Sequence, residues 1–184
     1  ETGKSAKKFL MRKPLSGGKF RSGFGLRRHP IVGVMRMHNG VDWAASRGTP
    51  IMAAGDGTIT RASWVSGYGR RIEIQHANGY LSTYSHQTSF AEGIHEGMRV
   101  RQGQVIGYVG STGLSTGAHL HYEVKVNGRF VDPMRIRLPR GRVLDGEMLE
   151  AFNRERSRID TLIERASGPS RVASANVGAV SDAR

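Results

Sequence analysis

Two short stretches of the chain carry side chains that could bind a metal ion together. His119 and His121 are separated by one residue, so on a β-strand both imidazoles would lie on the same face. His38 and Asp42 lie four residues apart on either side of Gly40, and this glycine argues against a helix between them. Taken singly, each stretch has an ordinary alternative, namely two surface histidines or a polar turn.

Together the two stretches offer His38, Asp42 and His121 as three ligands, the number that a catalytic zinc ion uses while one position stays open to water. The chain contains no cysteine, so any metal must be bound by histidine and carboxylate groups. Zinc lowers the pKa of its bound water to about 7, and a neutral histidine nearby could take up the proton and pass it to a leaving amine. These residue types therefore predict hydrolytic chemistry.

The elements that must position these residues are short β-strands separated by glycine and asparagine turns. Apolar and polar residues alternate over residues 71–76, Asn78-Gly79 supplies a hairpin turn, and a second run follows at 81–84. Similar short runs recur at 57–62, 104–109 and 119–126. The pattern predicts a mainly β fold in which antiparallel hairpins stack into a sandwich-like domain.

The residues after 143 follow a helical period instead. Apolar side chains recur at helical spacings, at Leu144, Met148, Phe152, Ile159 and Ile163. This pattern predicts a C-terminal amphipathic helix over residues 144–166, whose apolar stripe would cover either the β domain or a protein partner. Residues 167–184 contain no aromatic residue, leucine or isoleucine, so this tail is expected to be disordered.

The charge of the chain is concentrated in two basic segments. The 184 residues carry 28 Lys and Arg against 15 Asp and Glu. Residues 1–30 hold nine basic residues and one acidic residue, and a second basic cluster follows at Arg135, Arg137, Arg140 and Arg142. Such patches attract anionic polymers, but the sequence has no helix-turn-helix or zinc-finger pattern, so a specific nucleic-acid partner is not expected.

An ordered series of motifs over residues 20 to 133 resembles the LytM or lysostaphin-type zinc metallopeptidases, which cut peptide bonds in bacterial peptidoglycan. The motifs are Ser22 to Arg27 with His29-Pro30, His38 to Asp42, Gly48-Thr49-Pro50, Ala54 to Gly57, Gly67-Tyr68-Gly69, Tyr84-Ser85-His86, Gly110 to Gly113, Ser115-Thr116-Gly117, His119 to His121 and Asp132-Pro133. So many motifs in the family's order and approximate spacing do not coincide by chance.

The resemblance implies a role for each of five residues. His38, Asp42 and His121 correspond to the ligands of one zinc ion per chain, and His86 and His119 correspond to the catalytic pair. In the family the zinc ion polarises the scissile carbonyl, while the two imidazoles move protons and stabilise the oxyanion. All five residues are present here, unlike in degenerate family members that have lost metal ligands and activate amidases.

Further residues near these motifs have expected roles of their own. Glu123 would lie on the same strand face as His121 and could orient it, because ligand imidazoles usually need an acceptor for their second nitrogen. Residues 113–118 resemble a loop that lines the substrate groove, and Tyr68 and Tyr84 could line the same cleft. His76 is expected to be structural, and His29 and His95 to have no special role.

The sequence therefore predicts five segments: a basic N-terminal arm at 1–19, a LytM-type peptidase domain at 20–135, a basic linker at 136–143, the helix at 144–166 and the tail at 167–184. The resemblance implies the activity of a peptidoglycan endopeptidase that cuts stem-peptide cross-links. The expected target is the D-alanyl to diaminopimelate bond, and a polyglycine bridge is the other target that these residues leave open. The alternative is a latent or non-hydrolytic regulator of cell-wall hydrolases that docks through the helix.

The expected location is the cell envelope, in a Gram-negative periplasm. The chain contains no apolar run long enough to span a bilayer. A signal or membrane anchor is therefore expected upstream of residue 1.

Overall fold

A computed structural model of the chain describes residues 9–28, 33–136, 138 and 146–166. Twelve strands and one α-helix lie in this part of the chain. They are β1 (Lys19–Ser22), β2 (Gly25–Arg28), β3 (Met35–His38), β4 (Val41–Ala44), β5 (Pro50–Met52), β6 (Gly57–Val65), β7 (Gly69–Gln75), β8 (Tyr80–Phe90), β9 (Arg99–Val100), β10 (Val105–Val109), β11 (His119–Val126), β12 (Arg129–Val131) and α1 (Gly146–Ala166).

The predicted hairpin around Asn78-Gly79 is confirmed. Strands β7 and β8 pair antiparallel and are joined by a single turn of 3₁₀-helix, Ala77–Gly79. Asn78 lies in the left-handed region with φ of 58°, a conformation that asparagine and glycine tolerate better than other residues. The Asn-Gly pair therefore reverses the chain within three residues.

Within the described residues, ten strands belong to one antiparallel sheet with the order β1-β4-β11-β8-β7-β6-β9. Strand β12 pairs with β11, and β10 joins the far end of β8 to β5. Strands β2 and β3 form a separate two-stranded sheet. The prediction of a mainly β, antiparallel domain is confirmed, and β11 lies at its centre between β4 and β8.

The central strands are buried on both faces. On one face of β11, the side chains of Leu120, Tyr122 and Val124 join the apolar core. On the other face, His121 and Glu123 are also buried. The alternation that the sequence shows thus separates an apolar layer from a buried polar layer, and the polar layer contains the candidate site.

Part of the segment predicted as a basic arm contributes to the core. Leu10 and Leu15 are buried among the core residues, and the amide of Met11 donates to the carbonyl of Ala54 at 2.7 Å. Of the predicted linker, Ile136 and Leu138 are described, and both are partly buried against the core. The bounds of the five predicted segments stay predictions.

The predicted C-terminal helix is present as α1, although residues 144 and 145 lie outside the described part. Glu147 occupies its first turn and Arg165 its last turn, as the helix dipole favours. None of its residues is buried, and the exposed apolar side chains are Met148, Phe152, Ile159, Leu162 and Ile163. Among the described residues, no helix is both long and apolar enough to cross a membrane. The tail at 167–184 and His29 also lie outside the described residues.

Candidate metal centre and active site

Three strands bring the candidate ligands together. His38 ends β3, Asp42 lies in β4 and His121 lies in β11, where His121 is directly paired with Asp42 across the two antiparallel strands. Gly40 links His38 to Asp42, and a Cβ atom at this position would overlap the carbonyl oxygen of Tyr122. Only glycine therefore allows this turn to pass so close to β11.

The donor atoms of these three residues converge on one point. Asp42 Oδ1 lies 2.8 Å from His121 Nδ1 and 3.2 Å from His38 Nε2. The two ring nitrogens lie 3.1 Å apart. One donor atom from each residue can be chosen so that all three lie within 4.8 Å of one another, and all three side chains are buried.

A hydrogen bond to the other ring nitrogen orients each of the two clustered imidazoles. His38 Nδ1 lies 2.6 Å from the carbonyl oxygen of Gly23, and His121 Nε2 lies 3.0 Å from Glu123 Oε1. Because these oxygens can only accept, each nitrogen carries the proton. His38 Nε2 and His121 Nδ1 face Asp42 instead, and when they give up their protons their lone pairs can bind a metal ion.

Two further imidazoles adjoin this cluster. The rings of His86 and His119 contact each other with centroids 4.7 Å apart and planes inclined by 43°, and His119 Nε2 lies 3.9 Å from Asp42 Oδ1. Their Nδ1 atoms donate to backbone carbonyls, that of His86 to Thr112 at 2.7 Å and that of His119 to Gly117 at 2.8 Å. Each therefore keeps an unprotonated Nε2, which can accept a proton.

A β-bulge in β8 sets the direction of His86. Between Gln87 and Tyr84, strand β8 advances three residues while β7 advances two, from Arg70 to Ile72. His86 adopts a left-handed conformation with φ of 64°, which is strained for a residue with a Cβ atom. Bulges next to active sites commonly redirect a side chain, and here the bulge brings His86 against His119.

Glu123 orients His121 through a buried network of hydrogen bonds. Its side chain has no exposed surface and accepts hydrogen bonds from Arg71 at 2.8 Å and from Thr83 at 2.9 Å, besides the one from His121. Arg71, which is 3% exposed, also donates to Ser85 and Glu73. The expected contact of Glu123 with His121 is present, and the arginine behind it completes a chain of buried polar contacts.

The closely spaced charges of this cluster shift the pKa values of its members. Burial by itself raises the pKa of Asp42, but hydrogen bonds from His121 and His38 outweigh it and hold the pKa well below its usual range. Burial likewise raises the pKa of Glu123, while His121, Arg71 and Thr83 together lower it to about 2. The pKa of His121 is raised, because the two carboxylates outweigh its burial. The cluster therefore favours positive charge at its centre.

The pKa values of the two adjoining imidazoles, His86 and His119, are lowered. Burial lowers the pKa of His86 to about 4, although its hydrogen bond to Thr112 opposes the shift. Burial also lowers the pKa of His119, against the hydrogen bond to Gly117. Both rings are therefore neutral near pH 7.

The cluster opens into a cleft of about 410 Å³. One wall is the loop that contains Leu114, Ser115 and Gly117, as the sequence predicts. Tyr68 also lines the cleft, whereas Tyr84 is fully buried and its hydroxyl accepts from the amide of Ala54. The expectation that Tyr84 lines the cleft is therefore wrong, because its place on β8 turns it into the apolar layer.

Arginine residues that the sequence analysis did not single out also lie here. Arg21, Arg27 and Arg36 line the cleft, and Arg27 donates to Asp42 Oδ2 at 3.1 Å. The alternation of polar and apolar residues around Ile72 places Arg71 on the polar face of its strand, which is a signal for its contact with Glu123. The pairing of β2 with β3, which places Arg27 and Arg36 at the cleft, has no clear signal in the sequence.

His95 is exposed, and His76 is buried with both ring nitrogens bonded, to the Asp56 carbonyl and to Ser82.

The donor set fits zinc. Two neutral imidazole nitrogens and one carboxylate oxygen are ligands that zinc accepts, and three protein ligands are typical of catalytic sites. The imidazoles are oriented by a carbonyl and a carboxylate, as zinc-binding histidines usually are. Among the described residues, this is the group of three acidic or imidazole donors close enough to share an ion.

Comparisons with known proteins place the chain in a family. The model of peptidase family M23 matches residues 36–133, which is more than half of the chain. The chain therefore belongs to peptidase family M23, whose LytM and lysostaphin-type members its motifs resemble.

Its relatives include named endopeptidases. The chain is 43% identical over 155 residues to the DD-carboxypeptidase/endopeptidase Mpg of Neisseria meningitidis, covering 84% of this chain and 35% of that protein. It is 40% identical over 153 residues to the peptidoglycan DD-endopeptidase ShyC of Vibrio cholerae, covering 83% and 35%. The chain thus spans about a third of the length of these relatives.

A solved structure supports the same fold and cofactor. A zinc-containing peptidase from Vibrio cholerae is similar over 72% of this chain and 41% of that chain, with a TM-score of 0.66 and 35% sequence identity. With the family and the clustered donors, this similarity confirms zinc as the cofactor expected from the sequence.

Proposed function

We propose that this chain is the catalytic part of a zinc-dependent endopeptidase that cuts the peptide cross-links of bacterial peptidoglycan, at the D-alanyl to diaminopimelate bond. The observation that carries the proposal is the convergence of His38, Asp42 and His121 beside two neutral imidazoles in one open cleft. The relatives named as a DD-carboxypeptidase/endopeptidase and a peptidoglycan DD-endopeptidase support this substrate class.

In this proposal, His38 Nε2, His121 Nδ1 and a carboxylate oxygen of Asp42 hold the zinc ion. When bound there, zinc would polarise the scissile carbonyl and acidify a water molecule. Arg27 fixes the carboxylate of Asp42 by binding Oδ2, while Oδ1 faces the imidazoles. Glu123 and the carbonyl of Gly23 keep the two ligand rings in one tautomer and one orientation.

His86 and His119 serve as the proton-handling pair. Each ring is fixed by a backbone carbonyl on Nδ1, so only Nε2 can take up or deliver a proton at the substrate. Peptide hydrolysis requires that one proton leaves the attacking water and that one reaches the departing amine. Two adjoining imidazoles supply sites for both transfers, and a protonated ring can also stabilise the oxyanion.

The regulatory alternative has no comparable support. Degenerate regulators of this kind have lost metal ligands, whereas all five residues are present here and lie together. A protein partner for α1 stays a prediction that rests on the exposed apolar side chains of that helix. We further propose the Gram-negative periplasm as the location, within the bacterial envelope where the relatives' named substrate occurs.

The proposal is tested by incubating zinc-loaded protein with purified cross-linked muropeptides and analysing the products by mass spectrometry. We expect dimers to become monomers, with product masses that identify the D-alanyl to diaminopimelate bond. His121→Ala should abolish both zinc binding and cleavage, while His95→Ala, at an exposed position outside the cleft, should leave both unchanged. Stoichiometric zinc without any cleavage would contradict the proposal.

A further inference from the structure

The lining of the cleft carries an excess of positive charge. Arg21, Arg27 and Arg36 line the cleft together with two carboxylates, those of Asp42 and Glu123. Both carboxylates are already paired within the protein, Asp42 with Arg27 and Glu123 with the buried Arg71. A ligand that enters the cleft therefore meets guanidinium groups whose charge is not fully balanced.

Two of these arginines, Arg21 and Arg36, have no acidic partner among the residues that the structure describes. Arg27 and Arg36 are directly opposite each other in the β2–β3 hairpin, an arrangement in which like charges destabilise the pair of strands. Arg27 is compensated by Asp42. Over the described part of the chain, neither Arg36 nor Arg21 forms an ion pair with a carboxylate, and both side chains are exposed.

Arg21 and Arg36 lie in the same cleft as the reacting groups. Both line it together with His86, His119 and Tyr68. The positive charges therefore share the cleft with the proton-handling pair. An anionic group of a substrate bound in this cleft would meet them there.

The substrate class in the proposed function contains such a group. The diaminopimelate nitrogen of the cross-link is attached to a carbon that also carries a free carboxylate. A cross-link through the side chain of lysine has no carboxylate at the corresponding carbon. We propose that Arg36 and Arg21 form a subsite for this carboxylate and so select diaminopimelate cross-links; this inference rests on the proposed function. Guanidinium groups suit the role because they bind carboxylates through paired, charge-assisted hydrogen bonds.

The first test measures binding without catalysis. Two disaccharide tetrapeptide monomers, one with the free diaminopimelate carboxylate and one with that carboxylate amidated, are titrated calorimetrically into the zinc-loaded protein. Both ligands keep the D-glutamate carboxylate and contain no cross-link, so they differ in one group. We expect the free carboxylate to bind about tenfold more tightly, the factor that corresponds to one charge-assisted hydrogen bond of ordinary strength.

The variants assign this preference to the subsite. Arg36→Gln and Arg21→Gln should each reduce the preference, and the double variant should remove it. Arg36→Lys should keep part of it, and Arg129→Gln, at an exposed strand position outside the cleft, should keep all of it. Equal affinity of the wild-type protein for both ligands would overturn the subsite, as would a double variant that retains the wild-type preference.

Cleavage of the matching cross-linked dimers separates this inference from the proposed function. If dimers are cut but amidation changes neither binding nor cleavage, the endopeptidase function stands and the subsite is wrong. If the free carboxylate is bound selectively but no dimer is cut, the subsite stands and the proposed function is wrong.

Discussion

The floor and the rim of the cleft are built in contrasting ways. The floor, comprising Asp42, His86, His119, His121 and Glu123, lies on the central strands β4, β8 and β11, where each of its side chains is buried or nearly so. The rim, the β2–β3 hairpin, belongs to a separate two-stranded sheet. Apart from His38 at its end, the residues of β3 are exposed, and Leu26 in β2 is 68% exposed.

This contrast suggests different roles for the two regions, the reaction for the floor and substrate selection for the rim. In the floor, each functional group is held by at least one further hydrogen bond, so a change there disturbs several partners at once. On the rim, Arg27 and His38 contact Asp42 in the floor, whereas the exposed side chains have few partners and can be replaced with little effect on folding. We infer that the reaction depends on the buried network, and that substrate preference can be altered at the hairpin.

The largest effect is expected from Arg71→Met. This change leaves Glu123 charged in a site with no exposed surface, and breaking a buried ion pair from one side costs about 3–5 kcal/mol. The free energy of unfolding, measured in urea with excess zinc, should fall by that amount. Arg70→Met is the matched control, because Arg70 is the preceding residue of β7 and is exposed. Equal losses in the two variants would show that the buried contact of Arg71 with Glu123 contributes no more to stability than an exposed arginine of the same strand does.

A smaller effect is expected from Glu123→Gln on zinc affinity. Glutamine keeps one oxygen that can accept from His121, but it replaces the oxygen that accepts from Arg71 and Thr83 by an amide nitrogen. It also loses the charge that favours positive charge at the ligand ring. Changes to the groups that orient metal ligands commonly reduce affinity by about 10–100-fold, and competition with a chelator of known affinity would measure this. Glu73→Gln, which removes a partly exposed partner of Arg71, serves as the control. An unchanged zinc affinity in Glu123→Gln would show that Glu123 does not tune the site.

His76 sharpens the comparison, because it is a buried histidine that lies outside the cleft. Burial lowers its pKa, and the Asp56 carbonyl only partly opposes this. The unfolded chain therefore binds a proton more readily, so the stability that neutral His76 contributes is present above about pH 6.5 and is lost as the pH falls below it. The difference in unfolding free energy between wild type and His76→Gln, measured in urea, should therefore shrink as the pH is lowered from about 7.5 to about 5. A difference independent of pH would contradict the prediction.

The smallest effect is expected on the rim. Leu26→Ser removes an exposed apolar side chain of β2, and surface substitutions of this kind usually change stability by less than about 0.5 kcal/mol. Thermal unfolding of the zinc-loaded variant should therefore match that of the wild type. Leu120→Ser, at a fully buried position of β11, provides the contrasting case. A large loss in Leu26→Ser would mean that the hairpin supports the fold and is not only a rim.

Much of the fold could be predicted from local patterns. The alternation in β11 predicts which side chains enter the apolar layer, and Asn78-Gly79 predicts the β7–β8 hairpin. The helical period predicts α1, because its apolar residues recur with that period whatever they contact. Tyr84 shows the limit, since its motif suggested the cleft while its position on β8 directs it into the core.

The antiparallel β domain, the C-terminal helix and the zinc chemistry were predictable from residue type, spacing and ordered motifs, and the same patterns predict the five site residues. The contact of Arg71 with Glu123, the bulge that directs His86 and the pairing of Arg27 with Arg36 at the cleft became visible only in the folded domain. These features depend on strand register and on contacts between residues far apart in the chain. Such contacts form only when the whole domain folds, so no local pattern contains them.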